Sequence, residues 1–285
     1  MVFPMLLLPN CKINVGLRVV RKREDGYHDL ETIFYPIFAL HDELEIQPAA
    51  AFSFTQEGIA VDCPPEQNLI IRCYRRMREH YPSIGEVSIR FRKNIPFGAG
   101  LGGGSSDAAH TAIALNELFR LGLTREQLAA EVRPLGADCP FFIYNTPCFA
   151  EGIGDLLTPI DFSLKGYRIL MIKPACGVST REAYSGLHLS ADKHARPKLI
   201  DQWSNSKWLN GQMENDFEQS VFPLHPEIAH IKKRLLDAGA LYASMSGSGS
   251  TVFGLFEDNA ESGTRADLRL LHEEFASMIL LDDTL

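Results

Sequence analysis

Apolar and polar positions fall along the chain in runs that predict strands at Ile13–Val20, Leu44–Gln47, Val87–Lys93, Arg168–Ile172 and Thr251–Phe256. The short apolar stretch Met1–Leu8 lacks a basic start and a small-residue cleavage site, so it reads as an opening strand rather than a leader. Helical spacing fills the gaps. Gln67–Tyr81 has an apolar face and places Arg72, Arg75, Arg76 and Arg78 on the other. Asp107–Leu118 is rich in Ala and Leu. Thr124 with Gln127 is the pattern of a capping box, opening a helix to Val132. Pro226 and Gly239 bracket a helix over Ile228–Ala238, and Ala266–Phe275 is another. Strands and helices mix without strict alternation, which predicts an α+β fold rather than a doubly wound parallel sheet.

Length then bounds the domain count. At roughly 150 residues per domain, 285 residues imply about two domains or one large one. Gly152–Gly166, which carries three glycines and one proline before a buried strand, predicts a boundary that divides the chain into 1–157 and 158–285. The polar stretch Ser190–Asn215, with Trp203 and Trp208, reads as a surface insertion. Acidic residues outnumber basic ones, giving a net charge of −8, which argues against a nucleic-acid binder. No apolar run approaches the ~18–20 residues of a membrane span. Six cysteines without a C-x-x-C pair suit reduced thiols in a cytoplasmic protein. Nine histidines form no H-E-x-x-H motif, and His225 and His230 fall on different faces of a helix, so no structural zinc site is expected.

The strongest chemical signal is Pro96-Phe97-Gly98-Ala99-Gly100-Leu101-Gly102-Gly103-Gly104-Ser105-Ser106-Asp107, between a strand and a helix. Its glycines remove side chains where a ligand must approach the backbone and let successive N–H groups converge on an anion. The following helix adds a partial positive charge, with Ser105 or Ser106 as the expected cap. Such a strand–loop–helix is suited to phosphate. Gly98, Gly100 and Gly103 formally satisfy G-x-G-x-x-G, but no regular α/β repeat surrounds them. A Walker A loop would end in Gly-Lys-Ser/Thr, and no lysine stands here. A cation must therefore come from elsewhere in the chain or from a metal ion.

The loop resembles the second motif of the GHMP kinases. Pro9-Asn10-Cys11-Lys12-Ile13-Asn14-Val15-Gly16-Leu17 is similar to their first motif, with Cys11 where the family often has Ala. Met245-Ser246-Gly247-Ser248-Gly249-Ser250-Thr251-Val252-Phe253 is similar to their third. Asp25-Gly26-Tyr27-His28-Asp29-Leu30-Glu31-Thr32 and Gly136-Ala137-Asp138-Cys139-Pro140-Phe141-Phe142 resemble one branch of the family. So do Val178–Tyr184 and Asn215–Glu218. That branch phosphorylates an alcohol bearing a cytidine diphosphate group, in isoprenoid precursor biosynthesis. The resemblance implies an N-terminal domain like the second domain of ribosomal protein S5 and a ferredoxin-like C-terminal domain, with ATP and substrate in the cleft between them.

Roles follow from the same resemblance. Pro96, Gly98, Gly100, Leu101, Gly102, Gly103, Gly104, Ser105 and Ser106 would hold the ATP phosphates. Mg²⁺ would sit near Ser105 or Ser106, with no other direct protein ligand. Asp138 is the expected base; its apolar surroundings predict poor solvation, and Lys12 would hold it ionised and stabilise the attacking oxygen. Alone, Asp138 reads equally as a helix cap and Lys12 as a strand-edge charge. Tyr27 and Tyr184 would stack on cytosine, His28 would bond its edge, and Asn14 would bind substrate hydroxyls or orient Lys12. The third motif would either brace the loop or touch phosphate itself. No nucleic acid or membrane partner is expected, and the chain should be a monomer or weak homodimer. The alternatives are a GHMP kinase with another acceptor, a non-catalytic nucleotide-binding protein on the same fold, and a dinucleotide-dependent dehydrogenase.

Overall fold

The computed structural model describes residues 4–60, 63–187, 199–203, 213–258 and 264–285. In chain order the first half contains strands β1 (Met5–Leu7), β2 (Asn10–Lys22), β3 (His28–His41), β4 (Glu43–Pro48) and β5 (Ser53–Gly58), helix α1 (Leu69–His80), strand β6 (Val87–Lys93), helices α2 (Gly103–Leu118), α3 (Arg125–Val132) and α4 (Cys139–Tyr144), and strand β7 (Cys148–Glu151). The second half contains strands β8 (Leu156–Pro159) and β9 (Tyr167–Ile172), helices α5 (Thr180–Ser185), α6 (Leu199–Trp203), α7 (Glu218–Val221) and α8 (Pro226–Asp237), strands β10 (Tyr242–Met245) and β11 (Val252–Glu257), helix α9 (Thr264–Phe275) and strand β12 (Ile279–Thr284). Trp208 and most of the expected 190–215 insertion lie outside the described residues.

The chain forms two compact units, each discontinuous in sequence. The first takes the described parts of 1–12, 40–97 and 102–146. Its sheet runs β1-β4-β6-β5, antiparallel except for the β5–β6 pair. On α1 the apolar face buries Ile70, Ile71, Cys73, Tyr74 and Met77, and Asn68 caps the helix by accepting from the Ile70 N–H at 2.9 Å. Helix α2 is buried on most sides, which its small residues Ala108, Ala109, Ala112 and Ala114 permit by letting neighbours approach closely. The capping box expected at Thr124 and Gln127 is present on α3.

The second unit takes 13–39, 98–101 and the described parts of 147–285. One of its sheets is β2-β3-β7-β8, and the other is β12-β9-β11-β10, antiparallel throughout. The order of that second sheet, with helices between β9 and β10 and between β11 and β12, is the ferredoxin-like arrangement the resemblance implied. Ile169, Leu170, Met171 and Ile172 of β9 are fully buried, as a strand covered on both faces requires.

Strand β3 is absent from the periodicity reading because it does not alternate and contains Pro36. Proline is tolerated there because β7 pairs only with Thr32, Ile33 and Phe34, leaving Pro36 beyond that ladder. Helix α2 also starts earlier than its Ala/Leu run suggests. Its N-cap is Gly102 in left-handed backbone, not Ser105 or Ser106, and no side chain caps it.

Candidate active site

The second half of the glycine loop belongs to the first unit. Gly102 has φ +70°, and a Cβ there would meet the Phe142 ring at 3.0 Å and Lys12 Cγ at 3.2 Å. Both constraints demand glycine. Without a side-chain cap, the first N–H groups of α2 are left to an anion. The two serines separate clearly. Ser106 is fully buried, and its hydroxyl lies 3.3 Å from His110 Nδ1. Ser105 is half-buried; its Oγ lies 3.5 Å from where a Gly136 Cβ would stand, and it bonds the Cys139 thiol. Ser105 therefore faces the Gly136–Asp138 turn, and Ser106 does not.

Lys12 on β2 and Asp138, just before α4, form an ion pair, Nζ to Oδ2 at 3.5 Å. Lys12 is 4% exposed and Asp138 is 32% exposed. The expected poor solvation thus falls on the lysine. Burial pulls its ammonium below the ordinary lysine range, and the Asp138 charge pulls it partway back. Asp138 stays within reach of an incoming hydroxyl because water, not packing, covers part of it.

Sequence reading missed a second cation beneath the loop. Lys93, at the end of β6, places Nζ 3.0 Å from the position of a Gly103 Cβ. It bonds Asp42 at 2.5 Å and Asp107 at 2.8 Å, and all three side chains are buried. Asp42 also accepts from the Asn94 and Ile95 N–H groups at 2.6 and 2.8 Å. Among the described residues Asp107 Oδ1 has no hydrogen-bond partner. The only signal in the sequence was Asp107 itself, at the end of the serine pair. Burial lowers the Lys93 ammonium, but two carboxylates outweigh it and leave it raised. Burial raises Asp107 well above the carboxylate range, against the opposing pull of Lys93. One ammonium cannot compensate two buried carboxylates, so Asp107 takes the proton.

That assignment has a sign. A carboxyl raised on folding, like a raised ammonium, contributes stability that is present at low pH and lost as pH rises through the folded value. Asp107→Asn removes the proton-dependent group while leaving Lys93 paired with Asp42. At pH 8 it is expected to raise stability by about 1 kcal/mol, an advantage that fades on acidification toward pH 4. Asp42→Asn, which strands two N–H groups, should destabilise at both. Thermal melts across that range decide it, and a loss for Asp107→Asn at pH 8 would mean the full triad is charged.

The first half of the loop, Gly98–Leu101, belongs to the second unit and meets the third motif there. Gly100 has φ +75°, and a Cβ would collide with the carbonyl oxygen of Ser246. Ser246 Oγ donates to the Gly100 carbonyl at 2.9 Å, and the Thr251 N–H donates to the Ala99 carbonyl at 3.3 Å. Bracing is thus visible as a set of bonds. Asn215 holds the brace in turn, its Nδ2 donating to the carbonyls of Met245 at 2.7 Å and Gly247 at 2.8 Å. Leu101 is buried, so only its backbone is available to a ligand, and Pro96 is half-buried. Gly98 opens onto free space.

The expected substrate residues also lie in this unit. His28 stacks on Tyr184 with ring centroids 4.5 Å apart and 22° between planes. Tyr184 is backed edge-on by Phe217 at 4.7 Å. Burial, then Lys22, lowers the His28 ring below its usual range, so at neutral pH it offers one donor and one acceptor. Tyr27 is 62% exposed in a turn closed by Asp25 Oδ1, which accepts from the Tyr27 N–H at 3.1 Å. Asn14 is buried, with Nδ2 donating to Thr32 Oγ1 at 2.9 Å. One side of its amide is therefore committed to holding β2 against β3.

Among the described residues no helix is long and apolar enough to cross a membrane. Residues 68–146 match the family model described as GHMP kinases N terminal domain, and 193–266 match GHMP kinases C terminal. A protein of Azobacteroides pseudotrichonymphae named 4-diphosphocytidyl-2-C-methyl-D-erythritol kinase is 48% identical over 89% of this chain and 94% of its own. A Parabacteroides distasonis protein of the same name is 50% identical over 89% and 92%. A crystal structure of 4-(cytidine 5'-diphospho)-2C-methyl-D-erythritol kinase superposes with TM-score 0.77 at 32% identity, covering 96% of both chains. A homoserine kinase from Cytophaga hutchinsonii shares the fold, with TM-score 0.68 at 18% identity over 97% and 92%.

Proposed function

The chain belongs to the GHMP kinases and, within them, to the 4-diphosphocytidyl-2-C-methyl-D-erythritol kinases, and from that premise we propose that it transfers the γ-phosphoryl group of ATP to the 2-hydroxyl of 4-diphosphocytidyl-2-C-methyl-D-erythritol. It is an ATP-dependent small-molecule kinase. The product is the 2-phosphate, on the route to isoprenoid precursors, and the enzyme works in the cytoplasm as a monomer or weak homodimer. Domains 1–157 and 158–285 remain the proposed division in sequence, each holding one family-model match, while the compact units of the fold are discontinuous.

One observation carries the reading: the Lys12–Asp138 pair stands against the start of α2, with Lys12 against Gly102 and the Asp138 turn against Ser105. Phosphoryl transfer asks for positioning, charge neutralisation and a partner for the hydroxyl proton. Asp138 accepts that proton. Lys12 stabilises the charge on the attacking oxygen and orients Asp138 through their ion pair. The uncapped N–H groups of α2 hold phosphate oxygens. The half-buried Ser105 hydroxyl, rather than the buried Ser106, would help to hold Mg²⁺, which would supply charge neutralisation for the phosphates. A cleft lined by Asn68, Leu69, Phe97, Gly104, Lys93 and Asp107 adjoins this loop and suits the adenine ring.

Tyr27, Tyr184 and His28 serve the cytidine end. Tyr27→Ala is expected to raise KM for the cytidine substrate about tenfold and leave KM for ATP alone, from a stacking energy of ~1–3 kcal/mol per base. An unchanged KM would place the stack on Tyr184 and His28 instead. The function is tested by coupled ADP release with Mg²⁺-ATP, comparing the cytidine substrate with mevalonate, homoserine and galactose. Release with the first alone, with one phosphoryl mass added to the product, is the expected result. Release with another acceptor would keep Lys12 and Asp138 and overturn the roles of Tyr27 and His28.

A further inference from the structure

In the second unit, Cys176, His225 and Glu227 bring a sulfur, a ring nitrogen and a carboxylate oxygen within 4.8 Å of one another. Spacing in the sequence gives no hint of this, since Cys176 follows β9 and the other two open α8. We infer that these residues form a binding site for a borderline-soft divalent cation of the Zn²⁺ class, with Cys176 Sγ, His225 Nδ1 and a Glu227 oxygen as its ligands.

The orientation of His225 is the first argument. Its Nε2 lies 3.0 Å from Glu182 Oε1 on α5. A carboxylate only accepts, so Nε2 donates to Glu182, and Nδ1 is the nitrogen a metal would take, displacing any proton it carries. Nδ1 in turn faces Glu227 Oε1 at 3.8 Å. Metal-ligating histidines commonly have this arrangement, one nitrogen on the metal and the other donating to an orienting carboxylate. The thiol supplies the second argument. Cys176 already donates to Glu227, so sulfur and oxygen are neighbours before any ion arrives. A metal taking the sulfur displaces the thiol proton to solvent.

The third argument is support. His225 is the N-cap of α8 and Pro226 stiffens its first turn, so His225 and Glu227 are held close together. The Cys176 carbonyl accepts from Ser250 Oγ at 2.7 Å, which anchors the other side. Tetrahedral zinc, with ligands at about 2.0–2.3 Å, puts ligand atoms roughly 3.3–3.8 Å apart. Binding would draw these atoms in from the 4.8 Å limit to that spacing. A sulfur–nitrogen–oxygen set favours Zn²⁺ over Mg²⁺, which takes oxygen ligands and keeps its waters. The site is thus separate from catalytic Mg²⁺ and leaves a fourth position to water. A bound ion would tie α8 to the segment after β9.

The test is a Zn²⁺ titration of the full chain under excess Mg²⁺, read by calorimetry and by thermal midpoint. One Zn²⁺ per chain and a raised midpoint are expected, because a ligand that binds only the folded state stabilises it. Co²⁺ in place of Zn²⁺ should give a thiolate-to-metal absorption band. Cys176→Ser and His225→Gln should each weaken binding about tenfold or more, as ligand loss does. Exposed Glu227→Gln repeats the test without threatening the fold, and His230→Gln on the same helix should bind as wild type. Absence of saturable binding, absence of the thiolate band, or binding that survives the ligand substitutions would overturn the assignment.

Discussion

Asp138→Asn is expected to lower kcat by about 10²–10⁴-fold while the Kd for the cytidine substrate stays close to wild type. The substitution keeps the shape of the side chain and removes its ability to take a proton. In the structure Asp138 is a third exposed and pairs with Lys12 at 3.5 Å, so its carboxylate is oriented and reachable. An amide supplies orientation alone. The loss should therefore appear in the chemical step and not in binding, which equilibrium titration of the cytidine substrate separates from turnover. A variant with near-normal kcat would remove Asp138 from the mechanism, whatever its position beside the loop.

Lys12→Met gives the second large effect and a sharper contrast. Loss of a dedicated electrostatic donor costs about 10²–10³-fold in kcat. Stability should move the other way or not at all. Lys12 is the buried partner, and burial is what disfavours its charge. Methionine is apolar and of similar length, so it fills the same space without that penalty. Asp138, being partly exposed, can be rehydrated when its counter-ion is gone. Low kcat with an unchanged or raised melting temperature is the signature of a group kept for catalysis. A melting temperature that falls with kcat would mean that Lys12 chiefly holds the fold.

The loop, Asp138 and the aromatic residues were legible because each is written in contiguous residue types: a run of glycines, Gly-Ala-Asp, Asp-Gly-Tyr-His. Elements with regular periods, such as α1 and α8, were legible from their apolar faces, and α3 from its capping box. Strand β3 was not, since Pro36 and a continuous apolar run hide its pleat. The choice between Ser105 and Ser106 was also beyond the sequence, because it depends on His110 one turn later and on the Gly136 turn far along the chain. Lys93 and Asp42 look like ordinary strand-end charges until the fold buries them with Asp107. The solvation of Asp138 was read with the burial on the wrong partner. An apolar neighbourhood in sequence says nothing about which member of an ion pair faces water.

The bond from Ser246 to the Gly100 carbonyl joins residues 146 positions apart. During synthesis, then, the glycine loop leaves the ribosome long before the turn that shapes it. A nascent chain halted before Ser246 carries every glycine of the loop and still lacks the collar that sets the backbone at Gly100. Nucleotide affinity should therefore arrive late and abruptly as the chain lengthens, and stop codons placed after the loop but before Ser246 should abolish ATP binding even though they leave the loop untouched.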